Sequence, residues 1–233
     1  MDYAHHPNAQ QESYIEYVTP LGKGEVFHIK QNAFSMMKQL EGWCSFEKAS
    51  ILIDLILKTR PEVIVEIGVF GGKSLVPMAY ALKVLGKGKA YGIDPWDKEE
   101  SIRGIEAYPI DTEWWENLDH LKIMHSLMEK IKEFEIEEQI GLIRNTSFGT
   151  PAIEGIDILH IDGNHSDEVS YNDVVKWVPL VKKGGWIILD DILSVKKNTT
   201  ERAYEWLNTH CVKFAEFTDP SIWENPWGIW VKL

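Results

Sequence analysis

The sequence predicts an α/β fold: a doubly wound, mostly parallel sheet of seven strands, closed by an antiparallel C-terminal hairpin and preceded by N-terminal helices. Three observations carry that prediction. Short β-branched runs alternate with longer helical patterns, as expected of parallel βαβ units. The first run, Val63-Ile64-Val65-Glu66-Ile67, ends at Gly68 and leads through Gly71, Gly72 and Ser74 into the helical pattern Leu75 to Leu85. Three later runs end in carboxylates: Asp94, Asp162 and the Asp190-Asp191 pair.

The elements follow in order. Residues 1–30 read as irregular and polar. Helices are expected over 32–39 and 46–59, the second amphipathic through Ile51, Leu52, Leu55, Ile56 and Leu57. Strands are expected at 62–67, 89–93, 140–144, 156–161 and 185–190, with a helix over 167–182 between the last two. Residues 211–217 and 226–232 alternate like an antiparallel pair. Residues 1–60 then form a helical extension packed on the core, and 61–233 one domain interrupted at about 97–119 by a Trp-rich insert.

Composition narrows the function. A chain of 233 residues can bury one sizeable core. Its net charge of −12, without a basic cluster, argues against nucleic acid and anionic membranes as partners. Cys44 and Cys211 show neither disulfide nor metal spacing. With no apolar leader after Met1 and no spanning run, a cytoplasmic location is expected.

The turn after the first strand is the place where an α/β protein holds a nucleotide-like ligand, against the free amides of a helix N-terminus. Spacing separates the candidates. A P-loop would need its first glycine at Ile67, one residue before Gly68. A dinucleotide fingerprint would need glycine at Phe70. What remains is Glu66-x-Gly68-x-x-x-Gly72-x-Ser74. Asp94 ends the next strand about 20 residues on, where a carboxylate can take both ribose hydroxyls; its alternative is a turn Asp before Pro95. Trp96 is placed to cover an adenine face or to fill the core.

The strand Ile156–Ile161 ends at Asp162-Gly163, and the strand beginning near Gly185 ends at Asp190-Asp191. A right-handed crossover makes these two strands parallel neighbours, roughly 4.8 Å apart. Carboxylates gathered at one sheet edge repel unless protonated or bridged by a cation, and oxygen ligands suit Mg²⁺, Ca²⁺ or Mn²⁺. His165 lies in the same turn and could serve as a general base or as a loop residue beside a helix cap. His160, inside the strand, reads as a core residue.

These motifs, in this order over roughly 60–195, resemble the class I S-adenosylmethionine-dependent methyltransferases. The nearest branch is that of the metal-dependent O-methyltransferases, both catechol-type and sugar- or natural-product-methylating. The resemblance implies a Rossmann-like sheet and S-adenosylmethionine as cofactor. It places Gly68, Gly72 and Ser74 at the methionine end with Glu66 nearby, Asp94 on the ribose and Ser147 near adenine. It further implies a divalent ion, Mg²⁺ or another, on Asp162, Asp190 and Asp191, with His165 as the base for a small hydroxylated acceptor. Asp191 departs from the catechol enzyme, which has Asn there. A nicotinamide-dependent oxidoreductase and a non-methylating cofactor-binding relative are the rival readings. The insert aromatics Trp114 and Trp115 could stack on an acceptor, anchor the core or meet a second subunit in a homodimer.

Overall fold

A computed structural model describes residues 21–104, 109–192, 200–217 and 226–233. Seven strands form one sheet: β1 (Val63–Ile67), β2 (Lys89–Asp94), β3 (Ile140–Arg144), β4 (Ile156–Ile161), β5 (Val181–Leu189), β6 (Cys211–Phe217) and β7 (Trp227–Lys232). Their order is β3-β2-β1-β4-β5-β7-β6. The first five strands are parallel, and β7 runs antiparallel between β5 and β6. The expected sheet, hairpin included, is therefore present.

Chain order reverses beside β1, which lies between β2 and β4. Open α/β sheets bind their ligands at such a switch point, beyond the carboxyl ends of the strands. Glu66, Asp94, Asp162, Asp190 and Asp191 all fall at that edge because each stands within two residues of the end of its strand.

Helices α1 (Lys23–Met37), α2 (Phe46–Thr59) and α3 (Leu75–Leu85) pack together on one face. They share a core with β1, β2 and the later helix α6 (His120–Glu133). On the other face, α7 (Asp167–Trp177) and α8 (Glu201–His210) pack against each other and close a second core around Trp177 and Trp230. Burial on both faces explains why the parallel strands read as nearly continuous apolar runs.

Three boundaries differ from the expectation. First, α1 starts at Lys23, inside the stretch expected to be irregular; the Glu25 carboxylate accepts the Gly22 N–H at 2.7 Å and caps the helix. Second, α7 stops at Trp177, because Pro179 turns the chain into a short 3-10 segment before β5 begins at Val181. Third, the insert is not a bare loop. It contains α4 (Lys98–Ile102) and α5 (Pro109–Glu116). Asn164 Nδ2 donates to the carbonyls of Glu100 and Arg103 at 3.0 and 2.9 Å, which ties the insert to the turn after β4.

Candidate functional site

The glycine turn is held from three sides, and protein rather than open space surrounds its glycines. Gly68 has φ +85, and a methyl group there would overlap the carbonyl oxygen of Asp162. A methyl on Gly71 would strike the Glu41 backbone, and one on Gly72 the Leu127 side chain of α6. The glycines thus permit close packing of the turn against its neighbours, a use distinct from the ligand approach expected of them.

Asp94 braces the same turn. Its Oδ2 accepts the amides of Val69 and Phe70 at 3.0 and 2.9 Å, and its Oδ1 accepts Trp96 N at 2.7 Å. Burial raises its pKa against the pull of these amides. Trp96 is 2% exposed, and its indole N–H donates to the Phe70 carbonyl at 2.9 Å. In this conformation it supports the turn from beneath and offers no open face to an adenine. Ser147 donates its hydroxyl to Asp173, a buried carboxyl whose pKa burial pushes up to about 7.

Glu66 is fully buried and accepts hydrogen bonds from the hydroxyl of Ser74, the N-cap of α3, and from His160 Nδ1 at 2.8 Å. The register explains the second contact, since Glu66 stands opposite His160 in the β1–β4 ladder. His160 Nε2 then faces Asp190 Oδ1 at 3.4 Å, too poorly aligned to bond. Asp190 Oδ2 in turn holds the ammonium of Lys48, which descends from the first turn of α2 and also lies 3.8 Å from Asp162. Across the sheet edge, His165 Nε2 lies 2.6 Å from Asp191 Oδ2 and 3.7 Å from Asp162 Oδ1.

The structure therefore gathers Asp162, Asp190, Asp191 and His165 at one sheet edge, but the donor atoms of Asp190 and Asp191 fall into two sets that share only Asp162, whereas the expected ligand set was Asp162, Asp190 and Asp191 together. It adds His160 and Lys48, which sequence reasoning assigned to the core or passed over. Both left a trace. His160 precedes Asp162 by two residues and so shares its strand face. Lys48 falls at i−4 and i−7 from Leu52 and Leu55, a charge on the apolar stripe of α2.

Charge within the cluster is nearly self-compensated. Four carboxylates (Glu66, Asp162, Asp190, Asp191) face Lys48, His160 and His165. Burial would lower the pKa of Lys48, but Asp190 and Asp162 overcome it and hold the ammonium charged. Burial and Lys48 oppose charging of His160, yet Asp190 and Glu66 push its pKa up to about 9. His165 also rises to about 9: burial opposes the charge, and Asp191 outweighs it. Asp190 is depressed because Lys48 and His160 outweigh its burial, whereas Asp162 is raised by burial and by Asp190.

Two donor sets have ligand atoms within 4.8 Å of one another: His160, Asp162 and Asp190, and Asp162, His165 and Asp191. In the first, Lys48 already sits on Asp190. The second leaves out Asp190, although Lys48 stands 3.8 Å from its member Asp162, and Asp191 keeps a buried oxygen, Oδ1, without a hydrogen-bond partner among the described residues. Its mixture of imidazole and carboxylate suits Mn²⁺ or Zn²⁺ better than Mg²⁺.

Aromatic side chains cover the turn. Trp43 stacks on Phe70 at 5.1 Å between centroids, and Trp114 and Trp115 of α5 complete the group at 4.9 Å from each other. Trp43 remains 61% exposed.

The model of a family described as a methyltransferase domain matches residues 65–192, more than half of the chain, from β1 to just past Asp191. The chain belongs to this methyltransferase domain family. A curated relative, the uncharacterized protein R132 of Acanthamoeba polyphaga mimivirus, is 33% identical over 130 residues, 54% of this chain and 50% of that protein. The chain thus spans about half the length of the curated relative it matches. Among solved structures, the O-methyltransferase TomG of Streptomyces achromogenes, crystallised with S-adenosylmethionine, is 14% identical, covers 96% of each chain and has a TM-score of 0.61. A Bacillus cereus O-methyltransferase in complex with S-adenosylhomocysteine is also 14% identical, covers 96% of this chain and 97% of its own, and has a TM-score of 0.59. At such identities these neighbours establish that the methyltransferase domain has a Rossmann-like O-methyltransferase fold. Lys48 lies outside the family-matched segment.

Proposed function

We propose that this methyltransferase domain transfers the methyl group of S-adenosylmethionine to a hydroxyl of a small molecule. One observation carries the reading: the glycine turn and the acid-base cluster touch. Gly68 packs on the Asp162 carbonyl, and Asp162 N donates to Ile67 O at 2.8 Å. A sulfonium lying along the turn would present its methyl group to an acceptor beside Asp162 and His165. The cofactors named for the TomG and Bacillus cereus structures support the choice of donor. The failed dinucleotide spacing disfavours an oxidoreductase. A net charge of −12 favours a small acceptor over nucleic acid.

In this reading Ser74 and Glu66 secure the helix start beneath the methionine end, and the one remaining lone pair of Asp94, on Oδ1, is available to ribose. Asp162, with 29% of its side chain exposed, accepts the acceptor hydroxyl and orients it. His165, its Nε2 held by Asp191, takes the hydroxyl proton at Nδ1 as the oxygen attacks the methyl carbon. The S–CH₃ bond breaks, the O–CH₃ bond forms, and the sulfonium leaves as neutral thioether. Asp162, His165 and Asp191 are the residues that would hold a divalent ion; with His165 as a ligand, the ion's Lewis acidity would replace proton transfer to His165. Positioning and fixed charge account for the protein's contribution, because the donor already carries its leaving group.

Asp162→Ala should lower methyl transfer by roughly 10²-fold or more, the scale of losing an orienting acid-base partner. Calorimetric affinity for S-adenosylhomocysteine should change little, since the backbone N–H of residue 162 still bonds Ile67. Equal loss of turnover and cofactor binding would defeat this division of roles. The pH profile is a second check. A base must be neutral, and the rise of His165 to about 9 leaves it mostly protonated at pH 7. Turnover should therefore climb from pH 7, pass half-maximum near pH 9 and level off above it, with the ¹⁵N shift of His165 titrating in step. A profile already flat at pH 7 would remove His165 from the role.

A further inference from the structure

Lys48 has no assigned part in methyl transfer, yet its side chain is 1% exposed and its ammonium ends inside the carboxylate cluster. Burial of a lysine is unfavourable without a paired and hydrogen-bonded partner, so the position demands an electrostatic reason. The ammonium bonds Asp190 Oδ2, lies 3.8 Å from Asp162 Oδ2 and stands 5.6 Å above the Trp227 ring of β7. Together these contacts put a positive charge between the carboxylates ending β4 and β5, where a divalent ion would bridge them.

We propose that Lys48 is the resident cation of this site: its ammonium takes the place of a divalent ion between Asp162 and Asp190 and makes that ion dispensable. The inference rests on the methyl-transfer reading for its biological meaning but not for its geometry. Lys48 occupies Asp190 Oδ2, fixes that carboxylate against β5, and its charge repels a second cation from Asp162 and Asp190. It is a positioning residue, acting on the acceptor through Asp162. Asp190 Oδ1 and His160 Nε2 face each other across 3.4 Å with neither hydrogen-bonded among the described residues, and Lys48 is the closer charged partner of Asp190. The device comes from α2, so a segment outside the matched family domain completes the site.

The test is Mn²⁺ binding, followed by the loss of the free-ion EPR signal, on the full chain and on Lys48→Met and Lys48→Arg. Lys48→Met removes the charge at similar volume; Lys48→Arg keeps it. The wild-type chain and Lys48→Arg are expected to hold Mn²⁺ no tighter than about millimolar. Lys48→Met should bind on the order of tenfold tighter or more, since a repelling charge is gone from a site of low dielectric. Equal affinity in wild type and Lys48→Met would overturn the proposal. So would micromolar binding by the wild type, a result that needs no variant to fold. S-adenosylhomocysteine titration of the wild-type chain separates the two claims: its failure would bring down the methyl-transfer reading, while the Mn²⁺ comparison would still decide the role of Lys48.

Discussion

Gly68→Ala is expected to destabilise the protein by about 3 kcal/mol or more, a large loss for one added methyl group. Two causes combine. At φ +85 an alanine sits in a strained backbone region, and its Cβ would overlap the Asp162 carbonyl. That oxygen cannot swing aside like a side chain, because the neighbouring Asp162 N–H is bonded to Ile67 O at 2.8 Å. Gly86→Ala is the control. Gly86 also has positive φ, +66, at the C-cap of α3, but no atom of the described residues lies within 4 Å of its added methyl. It should cost only about 1 kcal/mol. Urea unfolding of both variants measures the difference, and equal losses would show that strain alone, without the Asp162 contact, explains Gly68. The surviving folded fraction of Gly68→Ala should also bind S-adenosylhomocysteine poorly, since relief of the overlap displaces the turn.

Glu66→Ala should be of similar size for an electrostatic reason. Glu66 and His160 are both fully buried, and His160 is held as an imidazolium. Removing one partner of such a pair leaves an uncompensated charge and costs about 3–5 kcal/mol. Ser74 also loses the acceptor for its hydroxyl at the start of α3. For a chain of this size the melting temperature should fall by roughly 10 °C. Glu66→Gln retains an acceptor oxygen and should fall between wild type and Glu66→Ala only if the charge matters. Indistinguishable melting of Glu66→Gln and wild type would reduce Glu66 to a hydrogen-bond acceptor.

The contrast between Asp162 and Lys48 shows how far the sequence was legible. Asp162, His165, Asp190 and Asp191 stand at strand ends, where local periodicity locates the edge of the sheet and topology brings the ends together. β1 to β4 and α2 were likewise readable, since each is a strongly patterned run with clear stops. Lys48 meets Asp190 across 142 residues through the packing of α2 on the sheet, and no local spacing encodes that meeting. His160 needed the strand register that sets it opposite Glu66. The start of α1 was missed because its charges interrupt the apolar stripe, although Gly22 and Glu25 held the capping signal. The glycines are legible from spacing but the neighbours packed on them are not: spacing reveals where a side chain is forbidden, while only the folded chain reveals what forbids it.

The turn from Gly68 to Gly72 acts as a keystone. Glu41 before α2, Leu127 of α6 and the end of β4 each rest on one of its glycines, and Asp94 grips its amides from β2. A movement that admits a ligand to this turn cannot stay local, for it must be felt by the N-terminal segment, the helix after the insert and Asp162 at once. Filling one half of the site should therefore slow hydrogen exchange in the other. Donor and acceptor would then bind with positive cooperativity transmitted through backbone contact, without any domain hinge.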